Sequence, residues 1–227
     1  MTKELEIDII QWDINSWSKA LSYWDSNVDW SKVSNCLELG GRQGGLSLWL
    51  ALKGKSTVCS DLNEVKRTAE NLHLKYNVSS LIAYQDIDAT NIAYENHFDI
   101  IVFKSIIGGI GSNNNIEIQQ KVFNQIYKAL KPGGKLLFAE NLTASPLHQL
   151  LRRKFVNWGN SWRYISIDEM KQFLKNYSNV EIKSNGVLAT FGRNESQRKF
   201  LSVVDDIFLN RICPKNWKYI VYGIAEK

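Results

Sequence analysis

Apolar and polar positions along the chain change rhythm repeatedly. Short, mostly apolar runs at Val33–Leu39, Ser56–Ser60, Ser80–Tyr84, Phe98–Phe103 and Lys135–Glu140 read as strands. Between them, Leu46–Lys53, Glu64–Tyr76 and Ile116–Leu130 carry the three-to-four-residue spacing of helices. The last of these stops at Lys131-Pro132-Gly133-Gly134, because proline cannot continue a helix and glycine turns cheaply. Further on, Leu147, Leu150, Leu151, Phe155 and Trp158 fall on one face of a helix across Ser145–Trp158. Ser166-Ile167-Asp168-Glu169 reads as a capping box for a helix running to Tyr177. Val180–Ile182 and Tyr219–Ala225 read as the last two strands, with an inserted helix over Glu195–Asn210. Repeated strand–helix units imply an α/β fold with a largely parallel sheet covered on both faces, and ligands in such sheets bind at the carboxyl ends of the strands.

The 227 residues fit one domain, 1–227, in three parts: an N-terminal helical segment 1–32, a first half 33–141 and a second half 142–227. Charge divides along the same line. Residues 1–141 carry a net −2 and residues 142–227 a net +7. That surplus suits an anionic acceptor, a nucleic acid or an anionic membrane surface, or is a solvated basic face. No apolar run is long enough to span a bilayer, and the acidic start MTKELEIDIIQWD lacks a signal core, so a cytoplasmic protein is expected. Cys36, Cys59 and Cys213 form no CxxC pair and read as small buried hydrophobes of a reducing compartment. No His/Cys cluster has metal-ligand spacing, so no metal is expected.

The first strand runs into Leu37-Glu38-Leu39-Gly40-Gly41-Arg42-Gln43-Gly44-Gly45. A dinucleotide loop needs GxGxxG, and Arg42 breaks that pattern. Glu38, directly before the glycines, would repel a pyrophosphate and suits a ligand bearing ammonium and sulfonium charge. Asp61 closes the second strand, Asp86 and Asp88 follow the third in QDIDAT, Asp99 opens the fourth and Lys104-Ser105 ends it, and LKPGGKLLF leads into the fifth. In this order and spacing the motifs resemble the class I S-adenosylmethionine-dependent methyltransferases, over roughly Val33–Asn141. The resemblance implies a Rossmann-like doubly wound, mostly parallel seven-stranded sheet with an antiparallel C-terminal strand, N-terminal helices and a helical lid. It also implies S-adenosyl-L-methionine as cofactor, held by Glu38, Gly40, Gly41, Gly44, Asp61 with Leu62, Asp88 with Ala89, and Lys104. Local readings stand beside it: Asp61 as a helix cap with Glu64, Asp88 as a turn cap, Asp99 as structural.

The loop Lys104–Gly111 lacks the (Asp/Asn)-Pro-Pro-aromatic motif of amino-methylating nucleic-acid enzymes, and no Pro-Cys nucleophile is present. Nucleic acid is therefore disfavoured, and methylation at oxygen of a small-molecule or glycan-like acceptor is expected. The alternatives are a donor-binding module without catalysis, a nucleic-acid or protein methyltransferase, and a nicotinamide-dependent dehydrogenase. Seven of the eight tryptophans flank the donor half: Trp12, Trp17, Trp24, Trp30, Trp158, Trp162 and Trp217. The resemblance places acceptor-binding segments there, with Trp12, Trp17, Gly108, Gly109 and Arg152 as acceptor-side candidates. Arg152-Arg153-Lys154 offers charge to an anionic group on the acceptor, or makes the amphipathic segment a membrane-surface helix. Of the three histidines, only His148 lies on the ligand side, and it is the candidate general base.

Overall fold

The structure, a computed structural model, describes residues 1–156 and 161–227. Seven strands form one sheet: β1 (Asn35–Leu39), β2 (Ser56–Asp61), β3 (Ile82–Asp86), β4 (Phe98–Lys104), β5 (Leu130–Asn141), β6 (Ser178–Asn185) and β7 (Ile220–Glu226). Their order is β3-β2-β1-β4-β5-β7-β6. The first five pair in parallel, and β7 runs antiparallel to both β5 and β6. The chain leaves β1 towards one edge and returns at β4 to build the other half. The reversal of strand order between β1 and β4 opens the crevice that ligands use in such sheets.

Period-two alternation builds a core on each face. Cys36 of β1, Ile100 and Val102 of β4, and Leu137 and Ala139 of β5 face one helical layer. Leu37, Leu39, Ile101, Phe103, Leu136 and Phe138 face the other. The first layer contains α1 (Lys3–Ile10), α2 (Ile14–Asn27), α3 (Gly45–Ala51) and α4 (Val65–Lys75). In α2, Trp17, Ala20, Leu21 and Trp24 recur at helical spacing and are fully buried, and the Trp24 indole N–H donates to Gly223 O at 3.0 Å. The N-terminal helices are thus pinned to the antiparallel strand at the opposite end of the chain. The second layer contains α5 (Ile107–Ile110), α6 (Ile116–Ala129) and α8 (Ile167–Phe173), where Val122, Phe123 and Ile126 meet Met170 and Phe173. The expected capping box is present: Ser166 Oγ accepts from Glu169 N, and Glu169 Oε2 accepts from Ser166 N. Two more helices, α7 (Pro146–Phe155) and α9 (Glu195–Val204), belong to the second half of the chain.

Several boundaries differ from the sequence reading. Lys131–Gly134 does not separate α6 from β5 but forms the irregular start of that strand: pairing with β4 jumps from Phe98↔Leu130 to Ile100↔Lys135, and Gly133 takes φ +76°. The helix starting at Glu195 widens into a π-turn at Asp205–Leu209, because the Asp205 carboxylate is drawn inward to accept from Val187 N, Leu188 N and Ala189 N. The amphipathic helix ends at Phe155, and Trp158 lies outside the described residues. No described helix is long and apolar enough to cross a membrane.

Trp24→Phe keeps the packing of α2 but leaves Gly223 O without its indole donor, so a loss of about 1–2 kcal/mol is expected. Trp24→Ala, which also opens a cavity, should cost about 3–5 kcal/mol. Urea unfolding of both variants checks the pair: equal losses would mean that the indole N–H contributes nothing.

Candidate functional site

Beyond the carboxyl ends of β1, β2 and β4 the chain makes three turns that line the crevice. The first is the glycine loop. Gly40 sits at φ +67° and Gly44 at φ +74°. A Cβ on Gly40 would lie 2.3 Å from Ile106 Cγ2 in the loop after β4, so the two loops touch. Arg42, which breaks the glycine pattern, nevertheless adopts φ +47°; the turn keeps its left-handed residue without the residue type that favours it. The turn is held from outside. Arg42 N donates to Asp61 Oδ2 at 2.8 Å, Thr68 Oγ1 donates to Arg42 O at 2.6 Å, and Gly41 N donates to Ser60 O at 2.8 Å. His73 of α4 completes the support, with Nε2 2.9 Å from Gly44 O and Nδ1 2.8 Å from the Tyr84 hydroxyl. A carbonyl can only accept, so Nε2 carries the proton and Nδ1 accepts from Tyr84. Burial lowers the His73 pKa and keeps the ring neutral.

Glu38 does not point at the crevice as its place before the glycines suggested. It is buried; Oε1 accepts from Leu46 N, and Oε2 from Ser47 N and Ser47 Oγ, so it closes the first turn of α3. Burial raises its pKa to about 7. Glu140, at the end of β5, does the same for the loop after β4: Oε2 accepts from Ile106 N at 2.9 Å and Ile107 N at 2.7 Å. Burial raises it to about 7 as well. Lys104, at the end of β4, feels both carboxylates: burial lowers it to about 8 against the opposing pull of Glu38 and Glu140. Its ammonium sits 5.1 Å from the centre of the Trp17 ring and makes no ion pair with a described residue.

Asp61 is half-buried, with Oδ1 accepting from Leu62 N at 2.7 Å and Oδ2 from Arg42 N. Leu62 is exposed. The capping role that Glu64 suggested for Asp61 belongs instead to Asp86, which accepts from Glu64 N and Val65 N at the start of α4. Asp88 is exposed and accepts from Thr90 N at 2.8 Å, while Ala89 packs against the second core. A carboxylate has about four lone-pair sites, so Asp61 and Asp88 retain acceptor capacity for hydroxyl and amino groups. Together with the tight Gly40–Gly41 backbone, these acceptors fit an adenosyl ligand without phosphate. Asp99 lies at the opposite end of the sheet, where it accepts from Ser34 N and Asn35 N and pairs with Lys131 at 2.6 Å.

The acceptor-side candidates separate. Trp17 is fully buried under Lys104, whereas Trp12 is half-buried, 5.6 Å from Trp17 and 5.7 Å from the Arg198 guanidinium. Gly108 and Gly109 lie against Trp162: a Cβ on Gly108 would fall 1.4 Å from its Nε1. The missing side chains therefore make room for an indole. Gln119 of α6 fixes this arrangement, donating to Ile107 O and Arg163 O. Arg152 donates to Leu142 O at 2.5 Å and stacks on Tyr164 at 4.0 Å. His148 is on the inner side of α7 and buried, with Nδ1 2.7 Å from Ser145 Oγ and its ring against Phe191 and Tyr219. Burial, and Arg152 nearby, lower its pKa to about 4.

Sequence reasoning missed Asp13. Before a helix it reads as an ordinary N-cap, but its backbone is left-handed at φ +45° and its side chain makes no cap bond. Glu195 of α9 supplies the capping carboxylate, accepting from Asp13 N and Ile14 N. The Asp13 side chain is thereby freed to turn inward. It is fully buried, Oδ2 accepts from the Tyr219 hydroxyl at 2.5 Å, and Oδ1 has no partner. Burial raises its pKa to about 6, and its charge is felt at Lys104. The only sequence signal was the pairing of that residue with a tryptophan-rich helix. Among the described residues, no group of three His, Cys, Asp or Glu could hold a metal.

Comparison with known proteins bears on the family and the fold. A family described as a methyltransferase domain matches residues 21–184. The ubiquinone/menaquinone biosynthesis C-methyltransferase of Methylococcus capsulatus is 32% identical over 123 residues, 52% of this chain and 46% of that enzyme. The chain thus spans about half the length of that curated relative. Among solved structures, Haemonchus contortus phosphoethanolamine N-methyltransferase 2 bound to S-adenosyl-L-methionine is similar with a TM-score of 0.64 at 18% identity, over 93% of this chain and 52% of that one. A putative sarcosine dimethylglycine methyltransferase from Galdieria sulphuraria also gives 0.64, at 15% identity, over 92% and 83%. At these identities the structures share the fold.

Arg42→Gly should relieve the left-handed strain, about 1–2 kcal/mol, against a smaller entropic cost in the unfolded chain, for a net gain of about 0.5–1 kcal/mol. The side chain is exposed, so a loss of stability in chemical denaturation would show that Arg42 stabilises the turn through its guanidinium instead.

Proposed function

The chain belongs to the class I methyltransferase-domain family, and on that premise we propose that it transfers the methyl group of S-adenosyl-L-methionine to an oxygen of a small-molecule or glycan-like acceptor. Asp61 accepts from the ribose hydroxyls and Asp88 from the adenine amino group, while the Gly40–Gly41 backbone borders the rest of the donor. Glu38 and Glu140 contribute negative potential from behind the loops rather than direct contacts. Bound there, the donor supplies an electrophilic methyl carbon on a sulfonium. The protein's part is to align an acceptor atom with that carbon, exclude water and take up a proton.

The observation that carries the oxygen acceptor is Asp13. A hydroxyl must lose its proton as it attacks, and Asp13 Oδ1 is a buried, unpartnered acceptor on a group raised to about 6. At pH 7 it is mostly ionised, yet basic enough to receive a proton. The Tyr219 hydroxyl on Oδ2 fixes the carboxyl, and Oδ1, buried with the Ser16 hydroxyl nearby, is the atom left to receive a proton. The base role expected of His148 passes to Asp13 in this reading, since a histidine held near 4 is a weak base and its ring is packed into the wall. Carbon methylation is the second reading, favoured by the name of the Methylococcus relative; a base of this strength also serves an acidic C–H.

Asp61→Ala should weaken binding of S-adenosylhomocysteine by about 2–3 kcal/mol, and Asp88→Ala by about 1 kcal/mol. Calorimetry with unchanged affinity in a folded Asp61→Ala protein would remove this site. For Asp13→Asn, turnover on a panel of phenols, carboxylates, sugars and quinol-type rings should fall about 10²-fold with donor affinity kept. In the wild type the rate should drop as pH falls through about 6, where the carboxylate becomes protonated; that limb should vanish in the variant. Donor binding with no turnover on any acceptor would favour a binding module without catalysis.

A further inference from the structure

Beyond the carboxyl end of β5 lies a cavity of about 270 Å³ whose walls include Thr143, Gln149, Arg152, Arg153, Arg163 and Tyr164. No described Asp or Glu lines it. Its three guanidinium groups are not equivalent. Arg163 is matched: it pairs with Glu169 at 2.5 Å and donates to Gln119 Oε1 at 2.6 Å and Asn114 Oδ1 at 3.1 Å. Arg152 is half-buried and meets only neutral groups, the carbonyls of Leu142 and Thr143 and the face of Tyr164. All of its protein bonds use one nitrogen, and the other two guanidinium nitrogens have no described partner. Arg153 is exposed and makes no hydrogen bond or ion pair with a described residue. The cavity therefore holds about two uncompensated positive charges. A guanidinium withdrawn from water without a carboxylate is costly, and the cost is offset when an anion arrives.

We propose that this cavity binds a phosphate-type dianion, a phosphomonoester or diphosphate group, as the anchoring end of the methyl acceptor. The inference rests on the methyltransferase reading and narrows its acceptor to phosphorylated small molecules. Two neighbouring guanidinium groups offer the forked donors that phosphate oxygens accept, and the Thr143 hydroxyl and Gln149 amide add neutral donors at the same wall. The position is right for an acceptor. The cavity shares Arg163 with the Trp162–Arg163 segment, which lies on the loop after β4: Arg163 N donates to Gly108 O at 2.9 Å. A molecule anchored here extends towards the end of β4, the strand end that carries Lys104. The sequence surplus of charge in residues 142–227 acquires a specific place by this route.

Phosphate of the same chemistry also sits on lipid headgroups, and α7 exposes Leu147, Leu150 and Phe155 beside Arg153 and Lys154, so the test separates the two sources. The full chain is titrated calorimetrically with inorganic phosphate and pyrophosphate at constant ionic strength, with chloride as control. Saturable binding is expected, weakened about tenfold in Arg153→Gln and more in Arg152→Gln, and unaltered in Arg67→Gln, a surface residue paired with Glu64. Arg153 is exposed, so its variant remains informative if Arg152→Gln fails to fold. Binding that chloride reproduces, or that both variants retain, overturns the proposal. In a second arm, vesicles containing phosphatidic acid are offered: attachment that millimolar phosphate does not displace assigns the arginines to a membrane surface and overturns the small-molecule anchor. S-adenosylhomocysteine affinity is measured on the same samples. Phosphate binding lost with donor binding kept sinks only this inference; the converse sinks the methyltransferase reading and leaves the anion site.

Discussion

Two buried glutamates hold the crevice in shape. Where β1 and β4 end, the backbone must turn away from the sheet, and the turns leave N–H groups that no strand or helix partner satisfies. Glu38 accepts from the first turn of α3, and Glu140 accepts from the loop after β4. Each carboxylate is worth its burial only because it closes several such donors at once. Lys104, which feels both carboxyls, lies over the Trp17 ring, so three titratable groups and an indole back the crevice. Loss of either glutamate would leave buried backbone groups unpaired and release the loop that shapes one side of the site.

Much of this was legible in the sequence because it rests on local rules. The alternation of apolar runs identified the strands, and Asp61, Asp88 and the glycine loop fell where strand ends meet the crevice. The Ser166 capping box required only a pattern of four residues. What escaped was set by partners distant in the chain. Asp13 carried no signal of its own, because the cap that frees its side chain comes from Glu195, 182 residues away. His148 looked like an accessible lid residue, and only the packing of Phe191 and Tyr219 against it shows a buried ring. Gly108 and Gly109 stood as acceptor-side candidates, and the indole of Trp162 that lies against them could not be foreseen because Gln119 of α6 holds the neighbouring Arg163 O.

The first and last parts of the chain are joined over the antiparallel edge of the sheet. Trp24 reaches Gly223, Tyr219 reaches Asp13, and Asn185 donates to Ser16 O at 3.1 Å, each joining α2 to the antiparallel edge of the sheet. In the proposed reading the parallel strands carry the donor features, and these long-range bonds hold the N-terminal helices against the sheet beside them. Gly45 tightens the junction: a Cβ there would approach Ile9 O to 2.2 Å, so α1 rests directly on the helix that follows the glycine loop.

The near-neutral values of Glu38 and Glu140 give the buried layer behind the crevice an adjustable charge. A carboxyl group poised at about 7 is divided between two protonation states under ordinary conditions. A cation brought close favours the ionised form and drives the proton out; when the cation is replaced by a neutral molecule, the proton returns. A layer of this kind follows the charge of what lies near it. It would favour a positively charged guest over a neutral one. Proton exchange with solvent would then accompany arrival and departure, and the protein would act as a small charge buffer as well as a scaffold.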